Sequence, residues 1–399
     1  MKHLRFKNLK LDNKKRSKKE LVIKTALTII AILLYGAALY YANYDKPGYY
    51  TTTDSGMEYE TARVLEVIED NTVIDGTTEN VRRGNMVLSV EIMTGRYRGD
   101  IVETTNYFSS LYNVYVTEGD KASIRIDTTG ESTYSVSIYN YNRKGLIIGL
   151  TAFFLMVIVI IGRMIGLRAI VGLLFTLVNI VFLLLPLVLK GFSPIPTTIV
   201  ILTVTTILCF VLLGGIQPKT ISAALGTISG VIIAALIAFV VGEIGHITGF
   251  HTEEAESLLI IATDTKLTIT GLFICSVLIA ALGAVMDIAM SISSAIEELH
   301  INSPTMKQKD LFRSGMNIGR DSMGTMANTL ILALAGSSMN MMLLMYSYGV
   351  TFNQMINTDF VAVEVVRSIA GSLGIIFAVP ITSLLASIII GNNKINKSN

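Results

Sequence analysis

Eight apolar runs, each long enough to approach or exceed the reach of a lipid hydrocarbon core, dictate what this chain can fold into. They are Leu21–Ala42, Leu146–Ile161, Ala169–Leu189, Pro196–Gly215, Ile221–Val241, Leu267–Ala295, Thr325–Tyr346 and Val361–Ile390. A core of about 30 Å takes about 20 residues of helix to cross. Inside it every backbone polar group must be satisfied within the protein, so helices are the expected form. The second run is short and extends through Gly162, while the sixth and eighth are long enough to tilt or project.

Composition agrees, with 51% hydrophobic residues, 16% charged residues and a mean hydropathy of +0.58, where soluble domains carry about 25% charge. The bilayer is therefore the first partner. A net charge of +2 is too small to indicate nucleic acid, and the basic residues gather in a tail and in loops. Both cysteines, Cys209 and Cys275, fall inside apolar runs. That placement argues against a disulfide framework or a thiolate metal cluster and for two small core residues.

Residues 1–20 carry nine Lys or Arg, and the positive-inside rule puts such a tail in the cytoplasm. Even-numbered spans then return to Arg163 and Arg168, to Lys219, to Lys307, Lys309, Arg313 and Arg320, and to Lys394 and Lys397. The alternation predicts eight spans with both termini inside. Arg143 and Lys144 run against it, although long translocated segments escape the rule. Span one, residues 21–42, has no small-x-small cleavage signal and reads as an uncleaved signal anchor. Residues 145–391 form a seven-helix membrane domain, and 392–399 a cytoplasmic C-terminal tail.

Residues 43–144 are polar and long enough for one domain outside the cytoplasm. Met86, Leu88, Val90 and Ile92 alternate with polar neighbours, as do Ala122, Ile124 and Ile126, and Tyr134, Val136 and Ile138. Period two means strands. Turn signals at Asp75-Gly76, Thr94-Gly95, Arg98-Gly99-Asp100 and Glu118-Gly119-Asp120 separate them, which predicts a small all-β barrel or sandwich. Its tyrosines, among them Tyr107, Tyr112, Tyr115, Tyr134, Tyr139 and Tyr141, suit a binding surface, and ordinary β propensity explains them equally well.

The membrane region carries a resemblance. Gly283-Ala-Val-Met-Asp-Ile-Ala-Met-Ser-Ile-Ser-Ser-Ala-Ile-Glu297, Gly319-Arg-Asp-Ser-Met-Gly-Thr-Met-Ala-Asn-Thr-Leu-Ile-Leu-Ala333 and the block from Val366 through Pro380 to Ser383 resemble the YibE/F family of bacterial membrane proteins. The resemblance implies a multi-pass protein of the bacterial cytoplasmic membrane with a β-rich extracytoplasmic region. It implies no biochemical activity.

Asp287 is the only charge between Leu267 and Ala295. A charge moved into hydrocarbon costs about 2.5–3.5 kcal/mol on insertion scales, so such residues face a partner, a cavity or a pathway. Gly283, Asp287, Ser291 and Ser294 recur at helical spacing, which predicts a small, polar face, with Val285, Ile288, Ile292 and Ile296 elsewhere. Spans six, seven and eight are expected to pack together, with Asn328 of span seven as the partner of Asp287. A structural carboxylate bonded to Ser291 or Asn328 is the competing account. Glu364 of span eight, one turn from Arg367, reads as part of an exposed pair at the outer interface. Asp321 reads as the N-terminal cap of span seven, and Ser337, Ser338 and Asn340 as residues able to unwind it or to bond back to its carbonyls.

The loop from Gly242 to Lys266 holds His246, His251, Glu253, Glu254, Glu256 and Asp264. His246 and His251 are weak metal candidates, because their spacing matches no standard site and acidic blocks are usually solvated. No cofactor is indicated. Walker A, His-Glu-x-x-His and Gly-x-Ser-x-Gly motifs are all missing, so the chain is not expected to be an enzyme. Two functions stay open. One is a secondary transporter or permease with Asp287 as proton or ion coupling group, and with Ser291, Ser294, Asn328 and Glu364 completing a coupling or substrate site. Spans three to five and six to eight would enter from opposite sides, as an inverted repeat requires, with Gly226-Thr-Ile-Ser-Gly230 similar to Gly371-Ser-Leu-Gly374. The other is a non-transporting scaffold or accessory protein whose β domain binds an envelope partner.

Overall fold

The structure is a computed structural model that describes residues 29–30, 32–44, 56–77, 81–128, 134–247, 258–259, 262, 269 and 271–392. The chain divides into two compact units, one of residues 49–163 and one of residues 1–48 with 164–399.

The first unit is built on an antiparallel sheet. Its strands are β1 (Met57–Asp70), β2 (Val73–Ile74), β3 (Arg82–Ile92), β4 (Ile101–Phe108), β5 (Lys121–Asp127) and β6 (Ser135–Tyr141). The order runs β2-β3-β1-β5-β6, with β4 on β3. The long β1 serves both β3 and β5, and register shifts at Val64/Glu66 and Val67/Glu69 bend it between them. The expected alternation holds, since Met86, Leu88, Val90, Ile92, Ala122, Ile124 and Ile126 are fully buried with Ala62 and Val64 of β1. Val136 is buried too, whereas Tyr134 and Ile138 are half-buried. Gly95 and Gly99, at φ of 83° and 96°, turn the chain from β3 into β4, where a side chain would be strained. The sheet curls until its edges touch, with Thr104 Oγ1 of β4 donating to the Val136 carbonyl of β6 at 2.6 Å. Among the described residues this is one curled antiparallel sheet whose strands β4 and β6 meet at this bond.

The helices are α1 (Lys144–Asn179), a π-helical stretch (Ile180–Leu184), α2 (Leu185–Leu189), α3 (Pro194–Gly214), α4 (Pro218–Ile244), α5 (Leu272–Asn302), α6 (Gln308–Ser337), α7 (Met339–Ser347), α8 (Phe352–Ile356) and α9 (Asp359–Gly391). Among the described residues five helices are long and apolar enough to cross a membrane, or six if the bent pair α6 and α7 counts as one. One of the five is the 46-residue run Lys144–Leu189, about 69 Å at 1.5 Å per residue. Arg163, at φ 48° and ψ −128°, interrupts its helical backbone.

The helix containing span seven begins at Gln308, well before Thr325. Leu311, Gly315 and Gly319 form a buried stripe at spacings of four, and that stripe carries the helix through a stretch too charged to register as apolar. Asp321 is consequently an exposed residue inside α6 and caps nothing. The break comes later, where the chain bends by 60° between α6 and α7. That break falls at Ser338, among the residues expected to be able to unwind the span.

Helix α9 packs on α4, α5 and α6, and α3 lies against α4 and α5. Contacts pair Gly226 with Thr382, Gly230 with Ala378, and Ala234 with Gly374, so α4 and α9 run antiparallel. A Cβ placed on Gly230 would stand 2.9 Å from the Gly374 carbonyl oxygen, and one on Gly374 would stand 2.9 Å from that of Gly230. Small residues let the two backbones approach this closely, which in lipid replaces the hydrophobic drive with van der Waals packing. Lys219 and Glu297 pair at 2.6 Å and tie the start of α4 to the end of α5.

Candidate functional site

Helix α5 has two opposed faces. Val285, Ile288, Ile292 and Ile296 are fully buried, whereas Gly283, Asp287 and Ser291 are exposed and Ser294 is half-buried. The polar face therefore points away from the packed bundle. Branched side chains explain the choice, because each makes many more dispersion contacts with α4, α6 and α9 than a glycine or serine could. Ile292 meets Gly319 and Ile296 meets Gly315, so the grooves that receive α5 are cut by glycines on α6.

The expected pairing of Asp287 with Asn328 is not formed. Asn328 is exposed on α6, and Asp287 has no hydrogen-bond partner among the described residues. Helices α5, α6 and α9 do pack together as expected, but through apolar and glycine contacts. No Cβ position on Gly283 or Gly324 has a neighbour within 4 Å. Asp287 thus lies on an open stripe of one helix, with Gly324 and Asn328 exposed on the next.

Glu364 sits in different surroundings. It pairs with Arg367 at 2.5 Å, with side-chain exposures of 19% and 23%, so the pair is half-buried and not the exposed interfacial pair expected. Arg367 Nε also donates to Ser276 Oγ of α5 at 3.1 Å, which links α9 to α5. Glu364 Oε2 is enclosed and has no hydrogen-bond partner among the described residues. Ser276 was not foreseen as part of the site, and its one signal is a hydroxyl between Cys275 and Val277 in an apolar run.

A second polar group missed in the sequence is Asn179, a lone amide deep in the third apolar run. Its Nδ2 donates to Thr205 Oγ1 at 2.8 Å, and its Oδ1 accepts from the Tyr35 hydroxyl at 2.7 Å. Buried hydroxyls form a third set: Thr227, Ser293, Thr382 and Ser383 are fully enclosed, with oxygens lacking a partner among the described residues. Thr382 stands against Gly226 of α4, and Ser383 against Gly315 of α6.

Of the two weak metal candidates, His246 is exposed near the end of α4 at φ 52°. It lines a cleft of about 120 Å³ with Glu243, Gly271 and Phe273. His251 and the acidic residues Glu253, Glu254, Glu256 and Asp264 lie outside the described residues. No group of three His, Cys, Asp or Glu able to hold a metal occurs among the described residues.

A family model described as YibE/F-like protein matches residues 150–392, more than half of the 399-residue chain. The chain belongs to the YibE/F-like family. Asp287, Asn328 and Glu364 all fall within the YibE/F-like region, together with α3 through α9, whereas β1 through β6 precede it. Searches of curated proteins and of solved structures returned no match.

Proposed function

We propose that this membrane protein is a secondary transporter or permease in which Asp287 is the proton or ion coupling group. The observation that carries the reading is an exposed carboxylate without a hydrogen-bond partner among the described residues, flanked by Gly283 and Ser291, on a 31-residue helix. Left against hydrocarbon, such a charge would cost about 2.5–3.5 kcal/mol. A water-filled or substrate-filled path along the open stripe removes that cost. Asn328 on the neighbouring helix supplies a group that both donates and accepts. The half-buried Glu364–Arg367–Ser276 cluster then acts as a strut that holds α9 to α5.

The topology that goes with this reading has eight crossings and both termini in the cytoplasm of a bacterium. The run Lys144–Leu189 contributes two crossings joined at Arg163, since its length of about 69 Å exceeds twice a hydrocarbon core. Span one and the bent α6–α7 pair complete the count. The β unit then faces the exterior.

The test is reconstitution in liposomes, with proton and ion fluxes compared between the native chain and Asp287→Asn. Loss of at least about tenfold is expected for a coupling carboxylate, with partial retention in Asp287→Glu. Normal flux in Asp287→Asn would remove the coupling role. No flux of any kind from the native chain across a broad substrate panel would favour a non-transporting scaffold whose β unit binds an envelope partner.

A further inference from the structure

Strands β4 and β6 are edges that face each other across the seam of the curled sheet without a ladder between them, since among the described residues β4 pairs only with β3 and β6 only with β5. The Thr104–Val136 bond pins them at one point. Beyond it they part around a cleft of about 380 Å³ lined by Thr105, Tyr107, Tyr112, Arg125, Ser137 and Tyr139, among others. That volume lies within the range of about 300–1,000 Å³ typical of ligand sites.

The main chain of β4 is available to a ligand. Ile92 N–H donates to the Asp100 carbonyl at 3.0 Å, and the register continues through Val90 opposite Val102 and Leu88 opposite Thr104. The alternation of an antiparallel ladder then turns the N–H and C=O of Thr105 and Tyr107 away from β3, toward the open edge. Proteins usually blunt such edges with lysine, proline or inward charge. Strand β6 (Ser135–Tyr141) contains no charged residue and no proline, and β4 (Ile101–Phe108) contains no lysine or proline and one charge, Glu103. Tyr107 and Tyr112 are 72% and 65% exposed, with rings free to cover a ligand. Arg125 is exposed and has no ion-pair partner among the described residues.

We propose that this seam is a strand-addition site that takes an extended, acidic peptide segment of a partner protein. The peptide main chain bonds the free edge of β4, alternate side chains lie on the tyrosine rings, and a carboxylate meets Arg125 in a charge-assisted hydrogen bond. A saccharide would use the rings and the guanidinium but would leave the main-chain edge groups to water. The proposal stands apart from the transport reading and shares no residue with it.

The test uses the full-length protein in lipid nanodiscs and a fluorescent heptapeptide that alternates valine and threonine around a central aspartate. Saturable binding is expected, with hydrogen-exchange protection of the Thr105 and Tyr107 amides, a readout that needs no variant. Arg125→Gln should weaken binding about tenfold, the loss typical of one hydrogen bond to a charged group. Tyr112→Ala should weaken it several-fold, and both positions are exposed enough for the fold to survive. The proposal is overturned if the heptapeptide does not bind, or if a backbone N-methylated version binds equally well. Protection of the same amides by an acidic oligosaccharide but not by the peptide would overturn it too.

Discussion

Two sets of helix glycines in this membrane unit look alike in sequence and do opposite things. Gly226, Gly230 and Gly374 lie where α4 crosses α9, and any added Cβ would meet a neighbouring atom at 2.9 Å or less. Gly283 and Gly324, on α5 and α6, have nothing within 4 Å. Each of these glycines lies within a helix with a serine or threonine no more than two turns away. The first set closes an interface, whereas the second leaves a face open around Asp287. Glycine between membrane helices therefore signals close approach only where a partner backbone is present to use it.

The comparison breaks most readily at the crossing. Gly230→Val is expected to destabilise the helical unit by about 3 kcal/mol, at the upper end for overpacking, because two carbons and a carbonyl oxygen already occupy the space. Unfolding in mixed micelles would read it as a lowered midpoint. An unchanged midpoint would mean that α4 and α9 do not meet at Gly230. Arg367→Ala comes next, at about 2 kcal/mol, because it leaves Glu364 half-buried beside α5 without its cation. The fully buried case runs to about 3–5 kcal/mol, and this pair keeps some contact with solvent. Arg367→Lys should recover part of the loss, since it restores charge but not the bond from Nε to Ser276.

The open face should behave in the contrary way. Gly283→Val and Ser291→Ala are expected to stay within about 0.5 kcal/mol of the native stability, as substitutions without neighbours usually do. Flux through reconstituted protein is where Gly283→Val should register, by narrowing the path along α5. A large stability loss for Gly283→Val would show that something covers this face in the membrane.

Legibility in the sequence followed periodicity. The strand Met86 to Ile92 and the helices α3, α4, α5 and α9 stood out because their apolar patterns are long and regular. Strand β1 did not, since two register shifts inside Met57–Asp70 interrupt its alternation. The start of α6 was hidden by Arg313, Arg320 and Asp321, whose charge masks the buried stripe of Leu311, Gly315 and Gly319. The direction in which Asp287 points could not be read, because both arcs of α5 are plausible packing surfaces in lipid. Only the volumes of Val285, Ile288, Ile292 and Ile296, set against glycines on another helix, settle which arc turns inward. Ser276 and Asn179 were single polar residues without a pattern, and their partners lie far away in the chain.

The smallest expected effect separates the β unit from the helices by pH. In the turn before β5, Asp120 accepts from the Thr117 N–H and hydroxyl, both at 2.8 Å. These bonds hold its carboxyl below the usual range, and Thr72 does the same for Asp70. A depressed native value stabilises the fold above the unfolded value of about 3.9 and is lost as pH falls through the lower native one. Tyr134 carries the opposite sign: its hydroxyl donates to Asp100 at 2.5 Å, and its pKa is pushed up to about 12. That contribution is complete below the unfolded value of about 10 and disappears as pH rises through about 12. All three groups are solvent-facing, so screening keeps each effect below about 1 kcal/mol. The β unit should accordingly lose stability below about pH 4 and again above about pH 10. Tyr134→Phe should flatten the alkaline limb alone. The difference in tyrosinate absorbance between the native chain and Tyr134→Phe isolates this titration from those of the other tyrosines among the chain's 16. An alkaline limb that persists in Tyr134→Phe would assign it to a different tyrosine.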